Sequence, residues 1–119
     1  MEIENLQLAS LDIPFKESFR HASAIRNATA TAWVTSTAQG HKGYGESCPR
    51  KYVTGETMAS VTTFFQDHKQ SILESVYDAP SLRSWVNQHR TAIDQNPAAW
   101  CAIDLAILDL FGNLQNYSV

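Results

Sequence analysis

The last helical stretch of the chain, Ala98 to Leu114, is too apolar for a helix that buries only one face. Between Trp100 and Phe111 only Asp104 and Asp109 carry charge. At 100° per residue, Trp100, Ile103, Leu105, Ile107, Leu108, Leu110 and Phe111 project around nearly the whole circumference. A helix that is hydrophobic all round is normally buried all round. Lipid is not the expected cover, because the run is shorter than the ~20 residues a bilayer span needs and two aspartates interrupt it. Strands and helices of the same domain can cover one side, so a second body is expected on the other. After Leu114 only a few residues follow, ending Tyr117-Ser118-Val119, so the chain is expected to be one part of a larger protein.

With 119 residues there is room for one domain with a modest core. The apolar share of 44% and charged share of 18% fit an ordinary soluble globular domain. A net charge of −3 and a pI near 5.7 argue against the basic face that nucleic-acid binding requires. No basic-then-apolar leader opens the sequence, and Cys48 and Cys101 stand far apart, outside any Cys-x-x-Cys pattern. Free, reduced thiols and a cytoplasmic location are expected. The triplets Asn27-Ala28-Thr29 and Asn116-Tyr117-Ser118 match the glycosylation acceptor, which carries no meaning without secretion.

The first third has the pattern of strands. Ile3, Leu6, Leu8 and Leu11 lie among polar residues and predict a strand ended by Pro14. Residues 28–35 alternate small apolar side chains with threonine, a period of two. Ala38-Gln39-Gly40 predicts a turn and Gly43 to Cys48 a third strand, giving an antiparallel hairpin. The loop between the first two strands is long for a hairpin and contains Arg20, His21 and Arg26. After Pro49 the period changes. Thr54 is expected to cap a first helix, with Glu56 in its first turn and Met58, Val61, Phe65, His68 and Ile72 on its stripe. A second helix is expected from Pro80, with Leu82, Trp85, Val86 and His89, and a third from the Asn96-Pro97 cap. The predicted class is α+β: a three-stranded antiparallel meander followed by a bundle of three helices. The expected division places a capping domain at 1–97, with strands in 1–48 and helices in 54–94, and assigns 98–119 to a helix leading onward.

No catalytic constellation is visible. His68 and His89 fall in apolar stripes without a second ligand at helical spacing, which favours a packing role, and His41 beside Lys42 is expected in solvent. His21 is equally compatible with ligand contact and with solvent. Gly40, Gly43 and Gly45 are followed by no helix and are expected to serve turn and strand packing rather than phosphate binding. Asp104 and Asp109 lie about 140° apart on a helix and do not converge on a metal. They are expected to pair with cations or cap backbone groups at an inter-domain contact, Asp104 in a partly buried position. Two segments are rich in recognition groups: Lys16 to Arg26, and Pro49-Arg50-Lys51-Tyr52-Val53. Arginine in a loop suits bidentate binding of a carboxylate, although Arg26, Arg50 and Lys51 would serve equally as solvated surface charges.

The succession Ile13-Pro14-Phe15-Lys16 with Phe19-Arg20, then Gly43-Tyr44-Gly45-Glu46 with Cys48-Pro49, then Val53-Thr54-Gly55-Glu56-Thr57, resembles the enolase superfamily in its muconate-lactonizing-enzyme subgroup. Ala102 to Gly112 resembles the helix that ends that family's N-terminal region. The similarity extends over essentially the whole chain, with several motifs in the right order.

The resemblance implies a capping domain that folds over the mouth of a (β/α)₇β barrel lying beyond Val119. In the family that barrel supplies lysine bases and the acidic ligands of Mg²⁺, which abstract a proton α to a carboxylate and stabilise the enediolate. No catalytic residue and no Mg²⁺ ligand is implied within this chain. The cap's part is substrate selection, carried over to residues 16–26 and 48–54, with Arg20, His21, Arg26, Lys51 and Tyr52 as substrate-binding residues. Arg20 stands where some dipeptide epimerases carry an arginine for an acidic side chain, which favours an L-Ala-D/L-Glu-like dipeptide. Lys16, Arg26, Arg50 and Lys51 would also suit a muconate cycloisomerase, an o-succinylbenzoate synthase or an N-acylamino acid racemase. The expected partners are the barrel domain, a small carboxylate or dipeptide and a second copy in a homo-oligomer, with neither nucleic acid nor membrane. A rival from another class is a non-enzymatic binding domain that buries the Trp100–Phe111 surface by oligomerising.

Overall fold

The computed structural model describes residues 2–14, 28–49 and 55–118. Three strands, β1 (Asn5–Pro14), β2 (Ala28–Ala38) and β3 (His41–Ser47), form an antiparallel sheet in the order β1-β2-β3. Among the described residues four helices follow: α1 (Met58–Ser75), α2 (Ala79–Gln88), α3 (Arg90–Gln95) and α4 (Pro97–Ser118). The α+β class and the meander agree with the sequence expectation. The helix count does not, because the backbone breaks at His89 (φ −117°, ψ 22°) and starts the extra short helix α3.

The β2–β3 hairpin is set by its turn. Gln39 and Gly40 both take positive φ, 52° and 79°, as a two-residue connection matching the strand twist requires. Register then sorts the side chains. Ala32, Val34, Ser36 and Ala38 of β2 are buried on one face together with Leu6 of β1, and Trp33 and Thr35 stand on the other. The buried face of β2 is built of small side chains, and β3 contributes glycines to it, so α4 can approach the backbone itself.

That approach is unusually close. A Cβ built on Gly43 would lie 2.2 Å from the Ala106 carbonyl oxygen, and one on Gly45 would lie 2.1 Å from that of Ala102. These are strand-packing glycines, as the sequence suggested. Polar links reinforce the seam: the Ser36 hydroxyl donates to the Ala106 carbonyl (2.7 Å), the Tyr44 amide to Asp109 Oδ2 (2.9 Å) and Asn113 Nδ2 to the Lys42 carbonyl (2.8 Å). Asp109 thus caps a backbone group within this domain, whereas the sequence reading placed such a cap at an inter-domain contact.

The opposite side of α4 meets α1 and the following helices. Trp100 stacks on Trp85 (5.2 Å between centroids), Trp85 on His89 (3.8 Å), and His68 meets both His89 (5.6 Å) and Phe64 (4.4 Å). Trp85 Nε1 donates to the Ser71 hydroxyl at 2.9 Å, so this nearly fully buried indole leaves no polar atom unpaired. Burial, then the neighbouring His89, hold the His68 imidazole below its ordinary value, with Asp67 acting weakly the other way. Both helical histidines therefore have the packing role their stripes predicted.

Helix α4 is consequently the central rod of the domain. Ala102, Ile103, Ala106, Ile107 and Leu110 are essentially inaccessible, whereas Leu105 and Leu108 are each 46% exposed. By length and composition Pro97–Gln115 could cross a bilayer, a longer apolar window than the Trp100–Phe111 run suggested, yet half of it is buried inside this domain.

Candidate functional site

Strand topology brings the described residues that flank the two nominated segments to one end of the sheet. β1 ends and β2 begins at the paired residues Pro14 and Ala28, which flank segment 15–27. β3 ends at Ser47, opposite Ala32, and from there the second segment departs. Ala28 and Ala32 are separated by about 13 Å of strand at 3.3 Å per residue. Their flanking residues therefore share one rim of the sheet. Arg20, His21, Arg26, Lys51 and Tyr52, with Lys16 and Arg50, lie outside the described residues. So does Thr54, the expected cap of the first helix.

What the structure describes is the footing of the second segment. The sequence places Glu56 in the first turn of a helix, but α1 starts two residues later. Thr57 is its N-cap, in a reciprocal capping box with Ser60. The delay has a local cause: Gly55 has φ +79°, outside helical space. Released from that helix, Glu56 is buried at 2% exposure and turns to another one. Its Oε1 and Oε2 accept from the amides of Ala98 (2.8 Å) and Ala99 (2.9 Å), the second and third residues of α4. A carboxylate there satisfies two orphan donors and sits at the positive end of the helix dipole. Asn96 does occupy the N-cap position, its carbonyl accepting from the Trp100 amide. Its side chain, however, donates to the Ala92 carbonyl instead of capping. On the other stem, the Ser47 hydroxyl donates to the Ala98 carbonyl at 2.6 Å, and Cys48 Sγ lies 3.6 Å from Thr31 Oγ1. Ser47 does not stand out in the sequence, and Glu56 does so as an acidic residue of its own helix's first turn rather than as the cap of another helix. The positive-φ glycine before Glu56 is the local signal that could have found it.

A second feature is an uncovered apolar face. Trp33 and Tyr44 pack ring to ring (5.5 Å), and with Gly45, Leu105 and Leu108 they line a shallow groove of about 530 Å³ edged by Glu46 and Asp109. Beside it, Asp104 lines a smaller cleft with Arg83 and Arg90. Burial raises the Asp104 carboxyl above its ordinary value, and among the described residues it accepts no hydrogen bond. Cys48 and Cys101 are both exposed free thiols. Among the described residues no group of three or more His, Cys, Asp or Glu side chains could hold a metal, so the Mg²⁺ implied by the resemblance has no site among them.

No protein-family model matches the chain. Among curated proteins, the hydrophobic dipeptide epimerase of Enterococcus faecalis is 29% identical over 114 residues, covering 94% of this chain and 31% of that protein. The L-Lys-D/L-Arg epimerase of Desulforapulum autotrophicum is also 29% identical over 114 residues, covering 92% of this chain and 31% of that protein. The crystal structure of the dipeptide epimerase from Enterococcus faecalis V583 superposes with a TM-score of 0.69 at 26% identity, over 97% of this chain and 31% of that one. The dipeptide epimerase of Methylococcus capsulatus complexed with Mg and the dipeptide L-Arg-D-Lys gives a TM-score of 0.59 over 89% of this chain and 30% of that one; at 23% identity that likeness is one of fold alone. The chain thus spans about 31% of the length of the curated relatives it matches. In sequence and in fold alike, it is similar to the N-terminal capping domain of dipeptide epimerases of the enolase superfamily.

Proposed function

We propose that this domain is the substrate-selecting cap of a Mg²⁺-dependent epimerase acting on dipeptides by proton abstraction α to a carboxylate. The observation that carries the reading is the match of nearly the whole chain, in sequence and fold, to about 31% of the length of proteins named dipeptide epimerases. The domain's contribution is recognition. The described residues that flank segments 16–26 and 48–54 lie at one end of the sheet, and in this reading the segments would enclose the part of the substrate remote from the reacting carbon and exclude water. The groove of Trp33, Tyr44, Leu105 and Leu108 suits cover by the remaining two thirds of a relative-sized protein, which would bring the bases and the metal.

For the substrate, the proposal is a dipeptide with an acidic side chain, bound by Arg20. The relatives' own substrates vary, being hydrophobic in one and cationic in the other, so the choice rests on this residue. The protein carrying this domain is incubated with Mg²⁺ in D₂O alongside acidic, hydrophobic and cationic dipeptides. Deuterium is expected at an α-carbon, fastest with the acidic set. Arg20→Ala should lower kcat/KM for that set by about 2–3 kcal/mol, the loss of one desolvated charge-assisted contact. Exchange on hydrophobic or cationic dipeptides alone would defeat the Arg20 assignment; exchange on none would defeat the epimerase reading.

A further inference from the structure

Three charged side chains line the cleft between α4 and the α2–α3 pair: Asp104 from α4, Arg83 from α2 and Arg90 from the first residue of α3. They do not pair with one another. Among the described residues Asp104 and Arg83 make neither a hydrogen bond nor an ion pair, and Arg90 Nη2 donates to Asn87 Oδ1 (3.0 Å). Burial is what raises the Asp104 carboxyl, and no nearby cation offsets it. A charge withdrawn from water needs a partner, so a half-buried carboxylate and two guanidiniums that leave it unpaired are an incomplete arrangement. The remaining wall is mostly apolar: Leu82 is buried, Val86 partly so, and Leu108 is 46% exposed. The cleft encloses about 290 Å³, at the small end of the range for ligand sites.

The charges narrow the class of ligand that completes this cleft. A simple anion would satisfy the arginines and be repelled by Asp104. A simple cation would do the reverse, and an uncharged apolar molecule would cover all three charges without pairing any. A zwitterion with an apolar body satisfies every group at once. An α-amino acid is the smallest molecule of that kind. Its carboxylate suits guanidinium donors, its ammonium suits a carboxylate, and charge-assisted bonds of about 2.8 Å at both ends bridge partners too far apart to pair directly. We propose that the cleft of Asp104, Arg83 and Arg90 binds a free α-amino acid with an aliphatic side chain. The carboxylate lies on the arginines, the ammonium on Asp104, and the side chain against Leu82, Val86 and Leu108. The site does not rest on the proposed function and stands or falls separately from it.

The test is calorimetric titration of L-leucine into the full chain at pH 7, where saturable binding is expected. Three analogues each remove one contact without touching the protein. N-acetyl-L-leucine lacks the ammonium, L-leucinamide the carboxylate and glycine the aliphatic side chain, and each should bind about tenfold or more weakly than L-leucine. Variants then locate the site. Asp104→Asn should weaken L-leucine about tenfold and leave N-acetyl-L-leucine no weaker, because only the first presents an ammonium to position 104. Arg83→Ala combined with Arg90→Ala should weaken L-leucine to a similar extent and spare L-leucinamide. No saturable binding of L-leucine up to about 10 mM overturns the site. Analogues that bind as tightly as L-leucine overturn the zwitterion assignment. L-Leucine affinity unchanged in both variants places the binding elsewhere and overturns the role of this cleft.

Discussion

Replacing Gly45 with alanine tests whether the closeness of β3 and α4 holds this domain together. The added Cβ would sit 2.1 Å from the Ala102 carbonyl oxygen and 2.6 Å from the Ala106 amide nitrogen, both backbone atoms that no rotamer change can move. Restoring ordinary contact near 3.4 Å means that α4 retreats by about 1.3 Å at this point. The Ser36–Ala106 and Tyr44–Asp109 hydrogen bonds, 2.7 and 2.9 Å long, would then pass beyond bonding range. Overpacking costs about 1–3 kcal/mol and each lost bond about 1 kcal/mol, for a total of roughly 3–5 kcal/mol. Against a domain stability of about 5–15 kcal/mol that is a large fraction. The assay is urea denaturation of the full chain followed by far-UV circular dichroism, with two other glycines as controls. Gly112 lies in α4 with no atom near the place an added methyl would take, so Gly112→Ala should stabilise by about 0.5–1 kcal/mol through helix propensity. Gly40 is equally open but has φ +79°, so Gly40→Ala should cost about 1 kcal/mol from backbone strain alone. If Gly45→Ala stays within about 0.5 kcal/mol of the parent, close approach is not what holds β3 to α4.

The histidine cluster should make the fold acid-sensitive. The His68 value is lowered in the folded state, so its contribution is present above 6.5 and is lost as pH falls through 6.5 towards the folded value. Denaturation midpoints at pH 7.5 and 5.5 should therefore differ less for His68→Gln than for the parent; equal differences would exclude this group. The raised Asp104 value has the opposite sign: its neutral form is favoured, so its stabilisation is present below 3.8 and lost as pH rises through the folded value. Asp104→Asn should raise the melting temperature of the chain at pH 7 and not at pH 3, by an amount equivalent to less than about 1 kcal/mol. Trp85→Ala should cost about 3–5 kcal/mol, since it removes the buried centre of the Trp100–Trp85–His89 stack, measured by the same denaturation.

Local chemistry was legible in the sequence wherever it acts within a few residues. Alternation of small side chains over 28–35 marked β2, Gln39-Gly40 marked the hairpin, and Pro97 marked the first turn of the last helix, because strand period, turn sterics and the missing proline donor are properties of the chain itself. Segments 16–26 and 48–54 were nominated by their composition, and the strand order places the described residues that flank them at one end of the sheet. Glu56 was misassigned for a physical reason: beside Thr57, a carboxylate has the same local pattern whether it caps its own helix or reaches another 42 residues on. Helix α4 divides along the same line. Its sequence required cover on nearly every side, but which residues the sheet would take and which it would leave exposed, Leu105 and Leu108, followed from the glycines of β3. Those glycines admit the helix backbone only with Ala102 and Ala106 turned inward, and that constraint belongs to the packed structure rather than to either segment.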